Sequence, residues 1–518
     1  MSQLGMINEI WLVSPLLILT AGAVAVLLID VFLQRAWPGG LFTGFVLVAA
    51  MYTSNYLFLG EKFLPGQRIF HNLLYADRLS AFALGLFLCA SIFVVLLAHE
   101  KLKQEKVEAA GEYYSLLLMT TIGAIIFASA GELITMFLGL ETMSMALYCL
   151  CGSALTVRAS SESALKYFLL GSFSSAFMLY GIALLYGLTG TTLIPELAAK
   201  LAGMDSTVLY IAIGLVLIGF LFKISAVPFH FWAPDVYQGA PTTITAYMAT
   251  VIKASAVIAL LRFIWGAVPG QAASWTGAMW TLAVITMTVG NLIALRQRSV
   301  KRMLAYSSIA HAGYMMVAMQ VDPVLQGGGA AILYYLVAYT AMSLGAFAVV
   351  LVVASANPGE PDADEITRFN ALAQSRPFLA ATMALFMLGL AGIPPGMAGL
   401  LGKFYIFSSA VQAGFVGLAI IGVLNSAISA YYYLRVIVAM YFIEPQGDEV
   451  VEKPELGVGI AGILALCSIG VVALGVFPSA LHDSARVTVQ SFVNPTSLEI
   501  TVEQMKAQPR PEFNLSLP

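Results

Sequence analysis

Four ionisable side chains lie deep inside long apolar stretches of this sequence. Three are Lys223, Lys253 and Lys403, and the fourth is Glu141, in the run LITMFLGLETMSMALYCL. Burial disfavours the charged form of an amine, whereas a nearby carboxylate favours it, so a carboxylate that moves changes the proton affinity of a lysine. One acid cannot pair one-to-one with three bases, which argues against static ion pairs. The four residues therefore predict a relay that loads and releases protons.

Other polar residues extend this relay or lie at its margins. His311 lies in RMLAYSSIAHAGYMM. Because histidine as a residue type titrates near neutrality, His311 either passes protons or is a packing residue satisfied by its polar neighbours. Lys166, about one turn into a predicted helix, either snorkels to an interface or extends the polar track. His230 is a weaker candidate because FHFWAPDVY is typical of an interface. Arg262 and Arg435 lie near predicted helix ends, where we expect them to snorkel.

The composition decides which class of protein positions these residues. Of 518 residues, 60% are hydrophobic and 10% are charged, with a mean hydropathy of +0.88. Soluble domains carry roughly 25% charged residues, so a soluble enzyme, a disordered chain and a nucleic-acid binder are excluded. The four cysteines lie in apolar runs without CxxC spacing, so we expect no disulfide, metal or iron–sulfur site. The chain is predicted to be an integral membrane protein.

Apolar stretches long enough to cross a bilayer recur along the whole chain. A spanning helix needs about 20 mostly apolar residues. About fourteen stretches meet this rule, and they lie near residues 10–33, 41–60, 78–98, 113–130, 132–156, 162–188, 208–230, 240–265, 275–295, 303–320, 328–355, 377–410, 414–442 and 457–480. The remainder is short loops and a polar tail from about residue 481. We therefore expect an all-α, polytopic membrane protein.

Prolines interrupt two of these predicted helices. Pro228 lies in LFKISAVPFHFW, and Pro394 and Pro395 lie in AGIPPGMAGLLGKF, each close to a lysine of the relay. Proline removes a helix hydrogen bond and frees carbonyls that must face protein or water. Paired broken helices indicate an internal repeat with an ion path, although structural kinks would also explain them. The adjacent lysines favour the ion path.

Alternate loops differ in their Lys and Arg content, which predicts the orientation. One side collects Arg35, Lys101, Lys103, Lys106, Arg158, Lys166, Arg296, Arg298, Lys301, Arg302, Arg368, Arg376, Arg435 and Lys453. The other collects Lys62, Arg68, Arg78, Lys200, Arg262, Arg486, Lys506 and Arg510. The richer side should be cytoplasmic, which places both termini outside. The start MSQLGMINEIW lacks a basic segment and an A-x-A cleavage site, so we expect the first apolar run to remain as a helix.

Several long motifs, in order, resemble one family. FKISAVPFHFWAPDVYQGAPT (222–242), SVKRMLAYSSIAHAGY (299–314), GLAGIPPGMAGLLGKFY (389–405) and ESALKYFLLGSFSSAFMLYGIALLYGLTG (162–190) resemble the antiporter-like, proton-translocating membrane subunits of NADH–quinone oxidoreductase, or respiratory complex I. The resemblance covers roughly residues 100–440. Within the family it is closest to the branch called subunit N, or subunit 2.

The resemblance implies fourteen helices with two inverted five-helix repeats, in which helices 7 and 12 are broken. The implied divisions are helices 1–3 in residues 1–112, helices 4–8 in 113–265, helices 9–13 in 275–442, a last helix in 457–480 and a tail in 481–518. It further implies that Glu141 pairs with Lys223, that Lys253 is the central lysine and that Lys403 lies near the exit, with His311 and water between them.

The same resemblance implies the setting of the chain. No cofactor is expected in this chain, and NADH, FMN, iron–sulfur clusters and quinone are expected in partner subunits. Expected neighbours are an M-like subunit, small K-, J- and A-like subunits and the lipid of a bacterial inner membrane. Lys403 favours subunit N over its sibling M, which typically has glutamate there, and the short segment after the last helix argues against the longer sibling L.

The sequence departs from the family pattern at one loop, and two other classes stay open. FHxWTPDVYEG is the frequent form, whereas this chain has Ala233 and, in place of the glutamate, Gln238. This change affects none of the relay residues. One alternative is a subunit of a multisubunit cation/proton antiporter or a membrane-bound hydrogenase. The other is a stand-alone transporter of a small solute, which the lysine-rich polar set argues against.

Overall fold

Long helices dominate the computed structural model, which describes residues 9–33, 38–59, 67–104, 110–356, 363–444 and 456–493. The helices are α1 (Ser14–Leu33), α2 (Gly39–Leu59), α3 (Arg78–Gln104), α4 (Gly111–Ser129), α5 (Leu133–Cys151), α6 (Arg158–Thr189), α7 (Ile194–Leu201), α8 (Thr207–Lys223), α9 (Trp232–Gly239), α10 (Thr242–Ala267), α11 (Ala272–Ala294), α12 (Val300–Met319), α13 (Gly328–Ser355), α14 (Leu372–Ser375), α15 (Pro377–Ala391), α16 (Met397–Gln412), α17 (Val416–Phe442), α18 (Val458–Val476) and α19 (Pro478–Val493).

Eleven helices in the described part of the chain are long and apolar enough to cross a membrane. Two others, α8 and α15, are apolar but shorter. Such helices suit a bilayer because each satisfies its backbone hydrogen bonds internally. The prediction of a mostly helical, polytopic membrane protein is therefore confirmed. A two-residue antiparallel hairpin, β1 (Arg68–Ile69) with β2 (Leu74–Tyr75), is a small addition that the sequence did not predict.

Both predicted interruptions lie at the prolines. The helix α8 ends at Lys223, and Ser225 then adopts a left-handed conformation with φ of 62° before α9 begins at Trp232. The helix α15 ends at Ala391, and α16 begins at Met397. Gly392 follows α15 with φ of 82°, a conformation that glycine adopts without steric cost. Lys223 thus ends the helix before the first break, whereas Lys403 lies in the helix after the second break.

The interior of the protein is formed by α10, α12 and α13. The helix α10 is buried along nearly its whole length, and most of α13 is buried as well. Two π-helical segments, Met248–Ile252 and Arg262–Ala267, lie on either side of the α-helical segment Lys253–Leu261 within α10. Such local widenings of a helix are frequent at functional sites. Lys253 therefore lies on an irregular helix in the interior of the protein.

Part of the segment predicted as a tail, residues 481–493, belongs to α19. This helix packs against α13 and α3 and buries Ala485, Thr488, Val489 and Ser491. It is not among the helices apolar enough to cross a bilayer, and the face that lies against the protein mixes small, polar and apolar residues. Its last turn places Phe492 beside Arg262, on the interior helix α10.

Candidate functional site

Lys223 lies at the end of α8, against two hydroxyl groups. Its Nζ donates to Ser144 Oγ at 2.8 Å and to Tyr167 OH at 3.0 Å, and the side chain is buried. Ser144 belongs to α5 and Tyr167 to α6, so one ammonium group joins three helices. The Tyr167 ring stacks on Trp232 of α9 with ring centroids 4.4 Å apart. The lysine that precedes the break is thereby coupled to the helix that follows it.

Glu141 and Lys223 line the same cavity, of about 10 Å³, which is about the room that one water molecule needs. Among the described ion pairs none joins these two residues, and Glu141 Oε1 is buried without a hydrogen-bond partner. The direct pair implied by the resemblance is absent from this conformation. The carboxylate is nonetheless placed to act on the lysine through the cavity.

Lys253 lies on α10 and contacts α12. Its Nζ donates to the Ser308 carbonyl at 2.7 Å and contacts Ser308 Oγ. The side chain is almost completely buried, and the ion pairs of the described residues include none to Lys253. Lys253 is therefore held by a carbonyl and a hydroxyl rather than by a carboxylate.

His311 lies one turn further along α12, and hydroxyls contact both ring nitrogens. Nδ1 contacts Tyr335 OH from α13, and Nε2 lies 2.9 Å from Tyr433 OH from α17. Tyr433 OH also contacts Ser307 Oγ. The histidine is buried and fully satisfied, and its hydroxyl partners can each donate or accept. The packing and relay interpretations of His311 are therefore both compatible with its contacts.

Lys403 lies on α16 and closes the second break. Its Nζ donates to the carbonyls of Leu390 and Ala391 at 2.9 and 2.8 Å and to Ser426 Oγ at 2.9 Å. The last carbonyls of a helix have no partner within it, so the ammonium group caps α15. It also lies 5.2 Å from the centre of the Tyr314 ring. Tyr314 contacts the His311 ring edge to face.

The structure thus forms two groups from the predicted relay residues. Lys253 and Lys403 each contact a side chain of α12, Ser308 and Tyr314 respectively, and His311 lies on the same helix between these two residues. Glu141 and Lys223 share a cavity in the first half. Within the described residues, no three His, Cys, Asp or Glu side chains lie close enough together to hold a metal ion.

Lys166 belongs to a third, partly exposed cluster of charges. Its Nζ lies 2.8 Å from both Glu162 and Asp235, and Asp235 also accepts from Arg302 at 2.7 Å. Burial alone would raise the pKa of the Asp235 carboxyl, but hydrogen bonds from Lys166 and Arg302 hold it below its ordinary value. Gln238, the departure from the family pattern, accepts from Arg302 at 3.0 Å, so an amide oxygen fills the place of the missing carboxylate.

The prediction that Arg262 snorkels is wrong. Arg262 is fully buried and forms a bidentate ion pair with Asp77, with Nη1 and Nη2 donating at 2.9 and 2.7 Å to the two carboxylate oxygens. Its Nε donates to the Ala128 carbonyl at 2.6 Å, and Nη2 donates to Ser80 Oγ. A rigid guanidinium group can satisfy several fixed acceptors at once. Because the Asp77 carboxylate neutralises the guanidinium group inside the protein, Arg262 does not extend to the membrane interface.

Three other basic residues differ from their sequence interpretation. Lys301, assigned to a loop, is buried and donates to the Ala240 carbonyl at 2.9 Å. Arg435 donates to the carbonyls of Leu295 and Gln297, so it caps the end of α11 rather than extending to an interface. His230, expected at an interface, is buried within the protein beside the first break. Lys301 and Arg435 thus bind free backbone carbonyls, whereas His230 lies at the break itself.

A polytopic helical membrane protein with several ionisable side chains in its interior is the class that this fold and site define. The chain belongs to the family described as NADH:quinone oxidoreductase/Mrp antiporter, TM, whose model matches residues 130–429. It is similar to NADH-quinone oxidoreductase subunit N of Trichlorobacter lovleyi, with 43% identity over 490 residues that cover 92% of this chain and 96% of the relative. For the subunit N of Mycobacterium tuberculosis H37Rv the identity is 37%, covering 93% and 98%.

Chains of solved membrane complexes are also similar to this chain. A chain of respiratory complex I from Thermus thermophilus with bound aureothin is 33% identical, with a TM-score of 0.76 over 90% of this chain and 98% of that one. A chain of the Mrp complex from Dietzia sp. DQ12-45-1b, at 19% identity, has a TM-score of 0.78 over 96% and 99% and shares the fold. The resemblance to the subunit N branch of complex I is confirmed by these relatives.

Proposed function

We propose that this chain is the proton-translocating, subunit-N-type membrane subunit of an NADH–quinone oxidoreductase. Electron transfer from NADH through FMN and iron–sulfur clusters to quinone occurs in partner subunits, and this chain moves protons in response. The observation that carries the proposal is the set of three buried lysines, Lys223, Lys253 and Lys403. Each is held by hydroxyls or carbonyls rather than by a carboxylate, which suits groups that must both bind and release a proton.

The proposed path runs across the membrane through both halves of the chain. A proton taken from the cytoplasm is held on Lys223, moves to Lys253, passes His311 with water, and leaves by way of Lys403. Glu141 tunes Lys223 by approaching it or moving away across their shared cavity. The cavity supports this role because the two groups line it without touching.

The proposal extends to the architecture and surroundings. We place two inverted five-helix repeats in residues 113–265 and 275–442, supported by one interrupted helix in each. The proposed membrane is a bacterial inner membrane with both chain termini outside the cytoplasm, which rests on the Lys and Arg bias. The proposed neighbours are an M-like subunit and small K-, J- and A-like subunits, since the chain of Thermus thermophilus complex I that it resembles belongs to a whole complex.

The test is proton pumping by the assembled complex in inside-out vesicles. Lys223→Ala or Glu141→Ala should reduce NADH-driven proton pumping, while Lys200→Ala, which removes an exposed lysine of α7, should leave it unchanged. Normal pumping by either relay variant, in a complex shown to be intact by native gel, would overturn the assignment. Copurification with only small antiporter subunits, and with no flavin or iron–sulfur protein, would instead favour the cation/proton antiporter class.

A further inference from the structure

Tyrosine hydroxyls from two different helices bracket the imidazole of His311. Tyr335 OH of α13 contacts Nδ1, and Tyr433 OH of α17 lies 2.9 Å from Nε2. All three side chains are buried. A neutral imidazole has one donor and one acceptor nitrogen, whereas a hydroxyl can serve as either. Both tautomers of His311 are therefore satisfied in this position after the two hydroxyl hydrogens rotate.

The Tyr433 side of this arrangement leads toward Lys253. Tyr433 OH contacts Ser307 Oγ, and the next residue on α12, Ser308, receives the ammonium group of Lys253. Of these two consecutive serines, Ser308 contacts Lys253 and Ser307 contacts Tyr433. A buried histidine that only needed hydrogen-bond partners would not require this continuation.

The Tyr335 side leads toward the helix that carries Lys403. The Tyr335 ring lies against Gly402, where a β-carbon would approach its Cδ2 to 2.5 Å. Lys403 is the next residue, and its ammonium group lies over the ring of Tyr314, which also contacts His311. The hydroxyl–imidazole–hydroxyl arrangement therefore lies between Lys253 and Lys403.

We propose that Tyr433 and Tyr335 are proton-carrying residues that pass the proton into and out of His311, an inference that rests on the proposed function. Ser307 takes a proton from the Lys253 side and gives its own to the Tyr433 oxygen as Tyr433 gives its proton to Nε2. Nδ1 then gives its proton to the Tyr335 oxygen, and the proton of Tyr335 leaves toward Lys403. One proton enters, one leaves, and only O–H and N–H bonds form or break. A flip of the imidazole ring between transfers, with rotation of the hydroxyl hydrogens, again presents an N–H to Tyr335 and an unprotonated nitrogen to Tyr433.

Tyrosine-to-phenylalanine variants of the assembled complex test this proposal, because they remove one oxygen each and keep the ring. Tyr433→Phe and Tyr335→Phe should each lower proton pumping roughly tenfold or more, since a positioned proton-transfer group contributes about 10²–10⁴-fold and water can partly replace it. Tyr334→Phe is the matched control. This buried neighbour on α13 donates to the Leu474 carbonyl, outside the proposed path.

Two further measurements separate proton transfer from structural support. Because the two hydroxyls act in series, the times of the two slowed steps add, so the double variant should pump only slightly more slowly than the worse single variant. Two independent structural losses would instead multiply. The ratio of pumping rates in H₂O and D₂O should also rise in each variant, because proton transfer becomes the slow step. Ser307→Ala tests the same path should the complex not assemble with Tyr433→Phe.

The outcomes distinguish this proposal from the proposed function. If Lys253→Ala abolishes pumping while both phenylalanine variants pump at the wild-type rate, the tyrosine path is wrong and the function stands. If Lys253→Ala also pumps normally in an intact complex, the proposed function itself fails. Multiplicative losses with an unchanged isotope effect would assign the two tyrosines to structural support and overturn the proposal.

Discussion

Arg262 and Asp77 form a fully buried, bidentate ion pair between residues that are 185 positions apart. The guanidinium group lies against the rings of Tyr75 and Phe492, at 4.5 and 5.1 Å from their centres. One side chain of the interior helix α10 therefore holds the start of α3, the end of α4 and the last turn of α19. Burial alone would raise the pKa of the Asp77 carboxyl, but the charge and hydrogen bonds of Arg262, with Ser80, hold it below its ordinary value.

We expect Asp77→Asn to lower the free energy of unfolding by about 3–5 kcal/mol near neutral pH, because it leaves a buried guanidinium group without a counter-charge. Since the pKa of Asp77 is lowered in the folded protein, the stability from this pair is complete above the unfolded pKa, about 3.9, and is lost as the pH falls through the folded pKa. The difference between wild type and variant should therefore be constant above about pH 5 and shrink in stronger acid.

Denaturant unfolding of the purified chain in detergent, followed by tryptophan fluorescence from pH 8 to pH 3, measures both effects. Asp205→Asn is the control, because Asp205 is an exposed carboxylate that accepts from Tyr210 OH. Its loss should cost less than about 1 kcal/mol. Equal costs for the two variants, or a difference that grows in acid, would contradict the assignment of Asp77 as the counter-charge.

Gly402 provides a second prediction, because a side chain there would displace the Tyr335 ring. A β-carbon at Gly402 would meet Tyr335 Cδ2 at 2.5 Å, whereas one at Gly470 of α18 meets no atom within 4 Å. Gly402→Ala should therefore move the Tyr335 hydroxyl from His311 Nδ1 and lower proton pumping roughly tenfold. Gly470→Ala should leave pumping at the wild-type rate and slightly stabilise its helix. Equal pumping by the two alanine variants would show that the position of Tyr335 does not matter.

The sequence alone predicts those features in which a residue differs from its immediate neighbours in the chain. Lys253 and Lys403 are conspicuous because each interrupts an apolar run, and the breaks after Lys223 and Ala391 follow from prolines that cannot continue a helix. The helical membrane class follows from composition in the same way. These features require no knowledge of what lies across the fold.

Features that depend on distant contacts were missed or misassigned. Arg262 lies near a helix end, where snorkelling is the usual behaviour, and only the fold brings Asp77 to it. Tyr433 and Tyr335 were not distinguished because the chain has 22 tyrosines, and a tyrosine in a membrane helix usually serves an interface or the core. The sequence indicates the residues proposed to hold protons, but it does not show which hydroxyls lie against them in the fold.

Lys166 gives the last prediction, which separates the relay from the charged cluster beside it. Its ammonium group is partly exposed and is shared between Glu162 and Asp235, whereas Lys223 is buried against two hydroxyls. Because exposed ion pairs contribute about 0–1 kcal/mol and Arg302 remains to hold Asp235, Lys166→Met should lower proton pumping less than twofold. Lys223→Met should nearly abolish it. Vesicles that contain equal amounts of assembled complex, assayed with the same NADH supply, measure both. Comparable losses in the two variants would place Lys166 within the relay.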